Sequence, residues 1–325
     1  MVAYEDVVAA NKRISGLINH TPVMTSRTLD GKVGGTVFLK CENFQRVGAF
    51  KFRGVSNTLL QLSAEEKKRG VITHSSGNHA QALALGAQLL GIPAVIVMPR
   101  NAPLVKVEAT RGYGAEIVFC DNSVEAREQT CHTLMKQHGY TLVHPYDDDR
   151  IIAGAGTAAL ELIEQVGVVD VMACPVGGGG LGSGTALATK GACPTAGMYL
   201  VEPVMADDAS RSFHEKTLYP SVYPNTIADG LRTALCPRTF RIIQDTVDDV
   251  ITVSEEEIVT AVRFIWERMK LVVEPSGAVG LAGVLSGKVP VKKKRIGVIV
   301  SGGNIDVSPL IDSLVPKKGK SETPR

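Results

Sequence analysis

The sequence predicts an α/β fold of two open, mostly parallel sheets covered by helices, with a smaller lobe inserted in a larger one. Two observations carry this. Short β-rich apolar runs alternate with helix-periodic segments, the rhythm of strand–helix–strand units. Runs such as IPAVIVMP (residues 92–99) and RIGVIV (295–300) are apolar without alternation, as strands buried on both faces require.

The predicted strands, in order, are TVFLK, GVITH, IPAVIVMP, EIVFC, TLVHP, VVDVMACPV, AGMYLVEP and RIGVIVSGG. From about residue 71, four strand–helix units follow one another and end at the polar cluster YDDDR. This predicts a small lobe over 71–147, a large lobe made of 1–70 and 148–317, and a frayed polar tail over 318–325. One helix start is well marked, because Ser254 and Glu257 form a capping box ahead of IVTAVRFIWERMK.

The 325 residues are 44% hydrophobic and carry a formal charge of +2 from nearly balanced acids and bases. No basic face suggests nucleic acid or an anionic membrane, so a small-molecule ligand is expected. No apolar run has transmembrane length and the N-terminus MVAYEDVVAANKRISG has no apolar signal core, so a cytoplasmic location is expected. The six scattered cysteines form no CxxC pair and read as buried free thiols.

GGGGLGSG (177–184) lies between a buried strand and a helix. Glycines there let backbone N–H groups crowd an anion while the helix adds its positive end, so a phosphate is the natural guest. Which phosphate is open at this point. Gly177, Gly179 and Gly182 satisfy GxGxxG and Glu202 ends the next strand, which fits an NAD-dependent oxidoreductase. Lys51, in the glycine-bounded turn VGAFKFRG (47–54), has no required use in such an enzyme. A lysine there either reaches solvent or, when desolvated, becomes a nucleophile that forms Schiff bases. In THSSGNHA, the residues Ser75, Ser76, Asn78 and His79 crowd a predicted strand end. Ser76 or Asn78 serves there as an ordinary helix cap, or the group catches a carboxylate. SGGNID (301–306) ends the last predicted strand, where Ser301 is either a turn residue or a ligand contact.

Together VGAFKFRG, SSGNHAQ, VGGGGLGSG, EPSGAVG and SGGNID, in this order and spacing, resemble the fold-type II pyridoxal-phosphate enzymes, which are tryptophan-synthase-β-like in fold, and within them the serine racemase and serine/threonine dehydratase group. The resemblance runs from about residue 6 to 313. It implies that Lys51 anchors pyridoxal 5'-phosphate, Phe50 backs the pyridine ring, Asn78 contacts the ring hydroxyl, and Gly177, Gly178, Gly179, Gly180 and Leu181 cup the phosphate. Ser301 would face the pyridine nitrogen. A hydroxyl there holds that nitrogen protonated less well than a carboxylate, which disfavours transamination. Lys51 and Ser76 would be the two proton carriers on opposite faces of Cα that inversion requires. Many dehydratase relatives lack a hydroxyl at the Ser76 position, so THSSGNH favours the racemase-like branch. Ser75, Ser76, Asn78 and His79 would hold the substrate.

The resemblance further implies a divalent cation, Mg²⁺ or else Ca²⁺ or Mn²⁺, on Glu202, the Ala206 carbonyl and Asp208 of EPVMADD. It also implies a homodimer, and an ATP effector at Gln81, Tyr113, Lys270 and Asn304, as in some animal members. Val105 replaces an animal-racemase cysteine, so thiol regulation is not carried over. Arg232 and Thr233 replace a lysine and a serine, which leaves substrate preference open. The chain ends soon after SGGNID, so no isoleucine-sensing domain is expected. The expected reaction is Cα deprotonation of a β-hydroxy amino acid, giving serine racemisation and elimination to a keto acid and ammonia. The alternatives are threo-3-hydroxyaspartate or L-threonine ammonia-lyase on the same scaffold and, from other classes, the NAD-dependent oxidoreductase or a silent binding protein.

Overall fold

The computed structural model describes residues 1–102 and 104–307. The last part of the large lobe (308–317) and the tail (318–325) lie outside the described residues.

The chain opens with α1 (Tyr4–Ile14), β1 (Val23–Met24), α2 (Arg27–Val33) and β2 (Thr36–Cys41), followed by α3 (Lys51–Leu60) and α4 (Ala64–Arg69). Next come β3 (Val71–His74), α5 (Asn78–Leu90), β4 (Ala94–Pro99), α6 (Leu104–Gly112), β5 (Glu116–Cys120), α7 (Val124–His138) and β6 (Thr141–Leu142). The chain continues through α8 (Asp149–Val166), β7 (Val171–Pro175), α9 (Gly180–Ala192), β8 (Gly197–Pro203), α10 (Asp208–Glu215) and α11 (Pro237–Thr246). Then follow β9 (Asp249–Val253), α12 (Glu255–Phe264), α13 (Pro275–Leu285) and β10 (Arg295–Val300).

Two sheets result, a six-stranded one in the order β1-β2-β10-β7-β8-β9 and a four-stranded one in the order β5-β4-β3-β6. All pairs are parallel except β1 with β2. Each quoted run contains a strand, but β1 and β9 were not anticipated and β6 is cut short before Pro145. The helix after β6 is also not a fourth unit of the small sheet, because α8 packs on α9, α1 and α3.

The burial of both strand faces follows directly from the apolar runs. On β10, Ile296, Val298 and Val300 enter one core while Ile299 enters the other; on β7, Val171 and Ala173 face one way and Met172 and Cys174 the other. The third core joins Phe52, Val55 and Leu59 of α3 to Ala80, Leu83 and Ala87 of α5 and Ile96 and Met98 of β4.

The opposite side of α3 carries fully buried Arg53. Its Nε donates to Glu42 Oε2 (2.7 Å), and its Nη2 donates to Glu42 Oε1 (2.9 Å) and Glu161 Oε2 (2.5 Å). Lys40 Nζ completes the network at 2.6 Å from Glu161. Two cations and two carboxylates therefore balance one another out of water, as burial of charge demands.

The Ser254–Glu257 capping box is present at α12. All six cysteines are free thiols, and all but half-buried Cys236 are buried. No helix among the described residues is long and apolar enough to cross a membrane.

Candidate active site

The carboxyl ends of β3, β7 and β10 meet around a cavity of about 350 Å³. This is where open parallel sheets place ligands.

The turn expected around Lys51 closes before it. Val47 and Gly48 take left-handed backbone (φ 56° and 68°), Ala49 bridges to Gly302, and Lys51 lies in the first turn of α3. The helix rotates Phe50 and Phe52 apart. Phe50 lines the cavity with its N–H donating to the Ser301 carbonyl (3.0 Å), while Phe52 is buried in the third core.

Lys51 opens into the cavity and is otherwise surrounded by protein, and this desolvation lowers its pKa to about 8. Its Nζ donates to the Pro145 carbonyl (2.9 Å) and lies 5.1 Å from the Phe50 ring centroid. A solvent-reaching surface lysine is thereby excluded.

On the opposite wall, α5 begins after Gly77 with no side-chain cap, so the ordinary-cap reading of Ser76 and Asn78 gives way. Ser75 Oγ instead accepts from the Gly77 N–H (3.3 Å). The free first-turn N–H groups of α5 face an anion's side of the dipole. Ser75, Ser76, Asn78 and His79 all line the cavity. The His79 ring, however, is buried, with Nε2 against the Val143 carbonyl (2.9 Å); desolvation first, then Lys51, lowers its pKa to about 3. The part of His79 offered at the helix end is therefore its backbone N–H.

Gly177, Gly178, Gly179, Gly180 and Leu181 form the third wall, with Gly179 at φ 87° capping α9 without a side chain. A Cβ on Gly178 or Gly180 would run into Tyr146. The cradle thus needs its glycines both for backbone approach and for that ring. Ser301, 4% exposed, lines the same cavity. An uncapped helix end for a phosphate and a desolvated lysine across the cavity fit pyridoxal phosphate.

Sequence reasoning missed several wall residues: Lys106, His144, Pro145, Tyr146, Asp229 and Glu274. Glu274 sits within the quoted EPSGAVG but was given no role. Its Oε1 accepts from Asn78 Nδ2 (2.9 Å), and Asn78 Oδ1 accepts from Asn304 Nδ2 (2.9 Å). Burial, with Asp229 nearby, pushes the Glu274 carboxyl up to about 7.

The predicted cation ligands lie outside the cavity. Glu202 Oε1 accepts from the Ser210 N–H (2.5 Å) and Oε2 from the Ala209 N–H (3.3 Å), so this carboxylate ties down the start of α10 and is not free for a ribose. Burial raises its pKa well above the usual range and that of Asp208 to about 6, and Asp208 Oδ2 is buried without a hydrogen-bond partner among the described residues. Of the proposed effector residues, Lys270 and Asn304 line a second pocket with Asn43, Phe44 and Gly48. Gln81 on α5 and Tyr113 after α6 do not line it.

The family model described as pyridoxal-phosphate dependent enzyme matches residues 14–302. The chain belongs to this family, and the dinucleotide reading of the glycine loop is overturned. It is 50% identical over 306 residues to an L-threo-3-hydroxyaspartate ammonia-lyase of a Pseudomonas species, covering 94% of this chain and 96% of that one. It is 47% identical to the serine racemase of Schizosaccharomyces pombe, covering 94% of each. The maize serine racemase structure superposes with a TM-score of 0.94 at 44% identity, covering 96% of each chain.

Proposed function

We propose that the protein removes the Cα proton of a β-hydroxy amino acid, racemising serine and eliminating water from it to give a keto acid and ammonia. The observation that carries this is Lys51, lowered to about 8 by desolvation, in one cavity with the uncapped start of α5 and the glycine loop before α9. When bound, pyridoxal phosphate supplies the electron sink that acidifies Cα–H.

Lys51 anchors the cofactor and takes the proton on one face. The Ser76 hydroxyl, which has no protein partner among the described residues, returns a proton on the other. Ser75, Asn78 and the N–H of His79 hold the carboxylate, Phe50, Asn78 and Ser301 position the ring, and Gly177 to Leu181 bind the phosphate. The orphaned Asp208 Oδ2 beside Glu202 supports a divalent cation, Mg²⁺ or else Ca²⁺ or Mn²⁺, held by Glu202, Asp208 and the Ala206 carbonyl. A cytoplasmic homodimer with its lobes divided at 70/71 and 147/148 belongs to the same reading. So does ATP as an effector, for which the presence of Lys270 and Asn304 in one pocket is the supporting feature.

The second reading is a hydroxyaspartate ammonia-lyase, favoured by the 50% identity to an enzyme so named. Incubating the holoenzyme and Mg²⁺ with L-serine, L-threonine or L-threo-3-hydroxyaspartate, and following keto acid and chirality together, separates them. D-serine beside pyruvate supports the first reading; rapid oxaloacetate with little D-serine supports the second. Absence of borohydride labelling at Lys51 overturns both.

A further inference from the structure

The connection from β6 to α8 lines the cavity with His144, Pro145 and Tyr146. Pro145 receives the Lys51 ammonium, and Tyr146 covers the glycine cradle. His144, immediately before Pro145, lines the cavity beside them.

Its ring is held in one tautomer. Nδ1 accepts from the backbone N–H groups of Asp147 (2.8 Å) and Tyr146 (3.3 Å), so the ring proton resides on Nε2. The His74 ring meets it edge-on at 6.1 Å and the Tyr146 ring at 4.8 Å, which fixes the plane. Nε2 has no hydrogen-bond partner among the described residues, and His144 lines the cavity. Desolvation first, then His74 and Lys51, lowers the pKa to about 4, against the opposing pull of Asp147 and Asp148. Lys106, Arg127, Glu128, Asp229 and Glu274 complete the charged cavity lining. A second proton would also have to displace two N–H donors from Nδ1. The ring is therefore a neutral donor across the range in which the Lys51 amine is available.

We propose that His144 is a substrate-binding residue whose Nε2–H donates a hydrogen bond to the β-hydroxyl oxygen of the amino acid. This rests on the proposed function, which places Cα beside Lys51 and the carboxylate at the start of α5. His144 precedes Pro145, whose carbonyl holds Lys51 Nζ, and its ring lies close enough to feel the Lys51 charge, which sets it within reach of a substituent one bond beyond Cα. A neutral donor suits a hydroxyl oxygen, which brings no charge to be neutralised. No proton is transferred, since giving up Nε2–H would leave an imidazolate.

The test uses holoenzyme and two substrates that share Cα chemistry but differ in the β-oxygen. Pyruvate release from L-serine reports elimination; Cα–H exchange of L-alanine in D₂O, followed by NMR, reports proton removal alone. His144→Leu is expected to lower kcat/KM for L-serine about thirty-fold, the scale of one lost buried donor. Exchange of L-alanine should change by less than about threefold. His144→Gln, which keeps an N–H donor, should recover part of the L-serine loss. Parallel losses on both substrates, an unaffected L-serine rate, or a Gln variant no better than Leu would each overturn the assignment. A wild-type holoenzyme inert toward both substrates would instead overturn the proposed function, and this inference with it.

Discussion

At the scale of single residues, the site is built from groups kept away from their ordinary protonation. Lys51 is lowered by desolvation and Glu274 is raised by it, and both line the same cavity. For Glu274 the sign is fixed by its folded pKa of about 7 lying above the ordinary carboxylate value of 4.5. Ionising it costs stability, a cost absent below the ordinary value, growing as pH rises between the two and fully present above about 7. Glu274→Gln keeps an acceptor for Asn78 and removes the charge. It should stabilise the cofactor-free protein by on the order of 3 kcal/mol at pH 8, with the gain fading toward pH 4.5 in urea unfolding. A difference constant with pH would show that Glu274 is not a strained carboxylate. Ser76 tests the two-face assignment. Ser76→Ala should abolish D-serine formation while leaving pyruvate release from L-serine within about threefold. Racemisation equal to wild type would mean that another group returns the proton.

At the scale of elements, helix α9 positions the cradle, and its placement depends on small residues. A Cβ on Gly184 would lie 2.3 Å from the Ile152 carbonyl, and one on Gly156 would lie 2.5 Å from the Gly184 carbonyl, so α8 and α9 touch backbone to backbone. Gly184→Ala should push them apart at a cost of roughly 1–3 kcal/mol. Because Gly180 begins the same helix, pyridoxal phosphate should also bind several-fold more weakly in an absorbance titration. A loss of stability with unchanged affinity would show that the cradle is independent of that packing. The strands and the glycine loop were legible because burial on both faces and an anion-binding turn each leave a local signature. The helical start of α3 was not, since Phe50 and Phe52 around Lys51 look alike in a strand or a helix. β9 escaped because DVITV lies among acids, with Asp248 before it and Glu255 after it. The run IVTAVRFIWERMK shows its apolar period but not the change to π-type hydrogen bonding over Ile265–Met269, which ends with Lys270 at φ 60°. Periodicity reports faces, whereas hydrogen-bond register is decided by what those faces meet.

At the scale of the whole molecule, the cavity lies between the two sheets, and contacts across it could not be read from either half of the sequence. Lys106 on α6 reaches Asp229 of the segment Asp229–Leu231 at 2.9 Å, joining the four-stranded side to the six-stranded side at the cavity. The two side chains are 30% and 49% exposed, so the pair contributes at most about 1 kcal/mol to folding. Its effect should fall on opening between the sheets, where the energy differences are of the same size. Lys106→Met should leave urea unfolding within about 1 kcal/mol of wild type yet speed amide exchange in α6. Raising salt should produce the same change in the wild type, because the Debye length falls from about 10 Å at 0.1 M to about 3 Å at 1 M. KM for a β-hydroxy amino acid should then shift more than kcat, since the pair bears on access and not on the proton at Cα. Unchanged exchange in α6 would show that other contacts hold the two sides together, and the pair would be a passive surface bridge.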